Sequence, residues 1–133
     1  MRKIRKIIIH CSTTAEGRDF TVEDIRRWHR QGNGWSDIGY HYVIHLDGSI
    51  HAGRPESRIG AHCAGHNADS IGICYVGGLA ADGKTPKDTR TPEQCAAIDW
   101  LCDDLLTRYP GARLYGHRDL NPGKACPSYE VNP

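Results

Sequence analysis

The sequence has no long hydrophobic run. A basic start leads into only three consecutive apolar residues, Ile7–Ile9, before His10, so neither a signal peptide nor a membrane span is read here. Charge of one sign is lacking too: 17 Lys and Arg stand against 16 Asp and Glu, a net of +1. That balance argues against a chain built mainly to hold nucleic acid, which carries a basic excess. It leaves a neutral or mildly charged polymer open as a partner. None of the six cysteines forms a Cys-x-x-Cys pair. Cys95 and Cys102 fall in a helical pattern, about 10 Å apart at roughly 1.5 Å rise per residue, too far for a bridge. The cysteines therefore read as reduced, small hydrophobic side chains, with Cys126 the exception. Repeats, linkers and low-complexity segments are absent as well.

What remains is ordinary globular composition, 38% apolar and 25% charged over 133 residues, enough for one domain spanning 1–133 with its own core. Ile4–His10 reads as a central strand covered on both faces, and its period of two turns His10 and Cys11 to opposite sides. Thr21, with Asp24 three residues on, opens a helix whose inner face is Val22, Ile25 and Trp28/His29, and which Gly32 and Gly34 close. Tyr40–Leu46 and Ser49–Ala52 flank Asp47-Gly48, which predicts a two-residue type I′ hairpin. Residues 54–70 read as irregular. Ile71–Val76 is a buried strand closed by Gly77-Gly78, and 81–90 a polar loop. Thr91-Pro92-Glu93-Gln94 is a complete helix opening. Cys95, Ile98, Leu101, Cys102, Leu105 and Tyr109 then recur at helical spacing until Pro110-Gly111. Ala112–Tyr115 is a last strand, delivering His117. The fold class is α/β, a mixed central sheet of about five strands flanked by helices.

The most informative stretch is Gly116–Tyr129, GHRDLNPGKACPSY. Asn121-Pro122-Gly123 and Cys126-Pro127 argue against any helix in it. A turn-rich segment holding His117, Lys124 and Cys126 is where function concentrates. With His10 leaving the first strand, His117 and Cys126 form a candidate zinc set; three protein ligands leave a fourth position open, as in catalytic rather than structural sites. The same residues leave other chemistries open. Cys126 with a histidine base would make a thiol hydrolase. Two His and a Cys also suit copper, although that site wants an axial methionine and the only one is Met1.

His10-Cys11-Ser12, Gly39-Tyr40-His41, Gly60-Ala61-His62 through Asn67 to Ser70-Ile71-Gly72-Ile73, and Lys124-Ala125-Cys126-Pro127-Ser128 occur in that order. Together they resemble the zinc-dependent N-acetylmuramoyl-L-alanine amidases of type 2, small phage endolysins above all, whose fold is shared with peptidoglycan-recognition proteins. The resemblance runs from about Ile4 to Tyr129. It implies one Zn2+ per chain on His10, His117 and Cys126, catalytic roles for Tyr40 and Lys124, and a substrate groove containing His62 and Asn67. Trp35 is a candidate wall of that groove, with core packing the competing reading. His41 reads as a structural support; His29, His45, His51 and His66 read as ordinary histidines, and Cys11 as core. The expected partner is peptidoglycan, acted on by a monomer made without a signal peptide and reaching the wall after release or export. The alternative is a recognition module of the same fold that binds peptidoglycan without cutting it. Binding to a regulatory protein, known for a phage relative, finds no motif here.

Overall fold

The computed structural model describes residues 2–131. Eleven elements follow one another: β1 (Lys6–Cys11), β2 (Thr14–Ala15), α1 (Val22–Gly32), β3 (Tyr42–Ile44), β4 (Ile50–Ala52), a short 3-10 turn (Asn67–Asp69), β5 (Ser70–Tyr75), β6 (Gly78–Leu79), α2 (Pro92–Arg108), β7 (Arg113–Gly116) and α3 (His117–Leu120). Five strands form one sheet in the order β4-β3-β5-β1-β7. Only the β3–β4 pair is antiparallel; β3, β5, β1 and β7 run parallel. This is the mixed, helix-flanked α/β sheet that the sequence predicts.

The strand at the centre is β1, with β5 on one side and β7 on the other. Its Ile7, Ile8 and Ile9 are fully buried, each removal from water stabilising the fold by about 1.5–3 kcal/mol. Alternation sends Ile7, Ile9 and Cys11 into a cluster with Ile71, Ile73, Tyr75 and the inner face of α2. A second cluster joins Val43, Cys74 and Val76 to Val22 and Ile25 of α1 and to Ile38. In that register Ile8 pairs with Gly72 and His10 with Cys74, so small residues stand beside the end of β1 and leave room for rings.

Both long helices open on the predicted capping boxes, Thr21 with Asp24 and Thr91 with Gln94. Three expectations need correction, and one small sheet is not anticipated by the sequence. The hairpin is not type I′: Gly48 alone takes a positive φ, of 86°. The Gly48 N–H donates to His45 O at 2.9 Å and the His45 N–H to Ser49 O at 3.0 Å, the pattern of a three-residue turn ending in a left-handed glycine. Asp47 is instead spent accepting from the Ser49 N–H and hydroxyl. Trp28 is not on the inner face of α1 but partly exposed, edge-on to Phe20 at 5.0 Å. The small parallel pair β2–β6 is too short to carry any period. A single helical turn, α3, precedes Asn121-Pro122, because proline constrains only the residue before it and Asp119 Oδ2 accepts the Gly116 N–H at 2.7 Å.

Candidate active site

Four side chains that the sequence singles out meet where β1 and β7 end. His10 is the penultimate residue of β1 and is buried. Because β7 pairs with β1 only as far as Gly116 opposite Ile9, His117 leaves the sheet directly beside His10, their ring centroids 4.6 Å apart. Tyr40, ahead of β3, brings its ring to 5.1 Å from His10. Cys126 arrives from the turn-rich segment. The ligand atoms of His10, His117 and Cys126 all lie within 4.8 Å of one another. Beyond β7's reach the Cys11 N–H finds no strand partner on that side; it donates to Cys126 Sγ at 3.1 Å. The loop is pinned further: Tyr75 OH donates to Pro127 O at 2.5 Å, Ser128 Oγ to Gly78 O at 2.8 Å, and the Arg118 N–H to Cys126 O at 2.9 Å.

The electrostatics favour neutral imidazoles at His10 and His117. Burial, then the His62 and His117 rings, hold His10 well below the usual histidine range. Burial and the Lys124 cation lower His117 in the same direction, which sets the exposed Lys124 charge beside the cluster. The adjoining Cys11 side chain and burial push the Cys126 thiol far up. Both zinc ligation and nucleophilic attack would use Cys126 as its thiolate. Tyr40 is raised well above the tyrosine range, by burial first, so its phenol keeps its proton and acts as a donor.

Two imidazoles and one sulfur with converging ligand atoms fit a zinc ion, with a fourth position for water or substrate. For copper, Met1 falls outside the described residues. Clefts border the cluster on two sides. One, of about 290 Å3, is lined by His29, Trp35, Tyr40, His62, Cys63 and Asn67. The other, of about 330 Å3, contains Thr13, Lys84, Lys124, Cys126 and Ser128. Trp35 lines the first of these clefts, 37% exposed and edge-on to His29 at 4.9 Å. His62 and Asn67 line the same cleft, yet both ring nitrogens of His62 and the Oδ1 of Asn67 are committed internally. Asn67 Oδ1 accepts the N–H groups of His62 and Cys63 at 3.0 and 2.9 Å. His62 Nδ1 lies 2.8 Å from His10 Nε2. Burial, then His41 and His117, bring His62 down to about 3. His41 is the expected support: Nδ1 accepts from the Gly72 N–H at 3.0 Å, and Nε2 donates to Arg58 O at 2.8 Å. All six cysteines are free.

His29 is a site residue that the sequence does not single out. Its Nδ1 accepts the Gly39 N–H at 2.9 Å and its ring supports both Trp35 and Tyr40. Its spacing marks it only as an inner face of α1.

Comparison with known proteins agrees with this geometry. A family model described as N-acetylmuramoyl-L-alanine amidase matches residues 1–129. An endolysin of Klebsiella phage KP32 is 43% identical over 126 residues, covering 95% of this chain and 82% of its own. The endolysin of Escherichia phage T7 is 42% identical over 125 residues, with coverage of 94% and 81%. Among solved structures, the N-acetylmuramoyl-L-alanine amidase LysC from Clostridium intestinale superposes with a TM-score of 0.81 at 31% identity, covering 97% of this chain and 79% of that one.

Proposed function

Because this chain belongs to the N-acetylmuramoyl-L-alanine amidase family, we propose that it is a zinc-dependent enzyme of cell-wall lysis. It cleaves the amide between N-acetylmuramic acid and the L-alanine of the peptidoglycan stem peptide. The observation that carries the zinc reading is the convergence of His10, His117 and Cys126 within 4.8 Å. When bound, zinc supplies Lewis acidity to a carbonyl and lowers the pKa of a water towards 7.

The chain's own residues supply the rest. Lys124, beside His117, offers a positive charge where the lactyl-amide carbonyl oxygen gains negative charge; such preorganised charge is among the largest contributions to catalysis. Tyr40, protonated and held between His10 and His29, orients water or substrate through its O–H. Trp35 and Tyr40 give the cleft an aromatic wall against which a sugar or peptide can be held. A pure recognition module would not need a complete ligand set with a lysine charge beside it.

The test joins metal content to product identity. The purified protein should hold one zinc per chain and release stem peptides beginning at L-alanine from purified peptidoglycan, read by mass spectrometry. A chelator should abolish release and zinc should restore it. Cleavage persisting in fully metal-free protein would refute the mechanism, and zinc without cleavage would favour a recognition module.

A further inference from the structure

We propose that His62 is a positioning residue for the metal centre. It sets the rotation and tautomer of His10 so that Nδ1 is the nitrogen His10 presents to zinc. This rests on the zinc-amidase reading and replaces the groove-contact role expected for His62.

A single proton decides the arrangement. His10 Nε2 and His62 Nδ1 are 2.8 Å apart, so one carries hydrogen and the other accepts it. If His62 were the donor, it would consume the Nε2 lone pair of His10. A neutral His10 would then hold its proton on Nδ1 and have no lone pair left for a metal. Ligation therefore selects the other arrangement, with His10 Nε2–H donating to His62 Nδ1. His62 then carries its own proton on Nε2, which donates to Ser70 Oγ at 3.2 Å. Both ring nitrogens of His62 are used, and none is left for substrate.

The ring is also fixed in place. A Cβ on Gly72 would lie 2.7 Å from His62 Cγ, and one on Gly60 would lie 2.8 Å from His62 Cδ2. The two glycines thus form the floor and one side of a slot for the imidazole. Asn67 Oδ1 clamps the His62 and Cys63 N–H groups behind it. The His62 ring stands at 89° to that of His10, so rotating either one breaks the bond. Metal-ligating histidines depend on such partners, whose loss costs about 10–100-fold in affinity.

Zinc affinity, read by competition with a chromophoric chelator, tests this without any turnover. His62→Ala should bind zinc about 10–100-fold more weakly and shift the visible spectrum of the cobalt-substituted protein. His62→Asn keeps an acceptor near the Nδ1 position and should recover most of the affinity. His62→Gln places its amide near Nε2 and should not. At saturating zinc, KM for peptidoglycan fragments should stay near wild type. Unchanged zinc affinity with a raised KM would return His62 to the groove and overturn the proposal, as would rescue by Gln rather than Asn. Should His62→Ala fail to fold, the Asn and Gln pair still decides. A wild type that holds zinc without cutting refutes the amidase reading alone, whereas a wild type that holds none overturns both.

Discussion

Cys126 and Lys124 sit two positions apart on one turn, and their side chains have separable duties. Cys126→Ser replaces a soft sulfur with a hydroxyl that does not ionise near neutrality and should lose most of the zinc, measured by metal analysis after dialysis. Lys124→Ala should retain one zinc per chain and lose about 10²–10³-fold in kcat, the scale for removing one stabilising group from a developing oxyanion. Loss of zinc from Lys124→Ala would show that its role was assigned wrongly. The identities of these residues are legible because His, Cys and Lys are scarce chemistries set in an ordered run of motifs. What holds them is not. The bond from the Cys11 N–H to Cys126 Sγ uses a backbone group, which no residue type announces. The two internal ties of His62 depend on a sheet register that single-chain reading does not supply. Gly72 reads as a motif residue, but its meaning is the imaginary Cβ that would strike His62.

At the scale of elements, α2 shows how much a local pattern can specify and where it stops. Thr91-Pro92-Glu93-Gln94 announces the helix start, since Thr91 Oγ1 accepts the Gln94 N–H at 3.0 Å and Gln94 Oε1 the Thr91 N–H at 3.0 Å. The sequence does not disclose that Gln94 is fully buried and that Nε2 also donates to Val76 O at 3.0 Å and Ile44 O at 3.3 Å. One amide thereby caps α2 and ties it to the ends of β3 and β5. Gln94→Glu puts a carboxylate against two carbonyl oxygens. It should cost about 2–4 kcal/mol in urea unfolding and leave zinc affinity unchanged; a loss under about 0.5 kcal/mol, the range of ordinary surface substitutions, would refute this role. The elements that escape notice are those without a period: β2 and β6 have two residues each and α3 has four. The Asp-Gly hairpin misleads because Asp47 has a better use for its carboxylate than a positive φ.

Across the whole molecule, Glu56 binds segments that the chain order keeps far from one another. It accepts from the two terminal guanidinium nitrogens of Arg108 at 2.8 and 2.9 Å, from Tyr109 OH at 2.6 Å and from Tyr42 OH. Burial alone would raise this carboxyl, but the Arg108, Tyr109 and Tyr42 bonds outweigh it and bring it from 4.5 to about 2. A depressed carboxyl stabilises the fold above its unfolded value, and that stability is lost as pH falls through the folded one. The wild type should therefore lose Tm between about pH 5 and 2 more steeply than Glu56→Gln, with the gap between them closing at the acid end. Parallel slopes across that window would show that the network contributes nothing.

The division of the site along the chain has a further consequence. His10, Tyr40 and His62 all precede the exposed loop at 81–90, while His117, Lys124 and Cys126 all follow it. A backbone cut in that loop would leave His10 on a different fragment from the other two zinc ligands and split β1 from its neighbour β7. Neither fragment would be a metalloprotein by itself, and uptake of zinc would report the two halves finding one another.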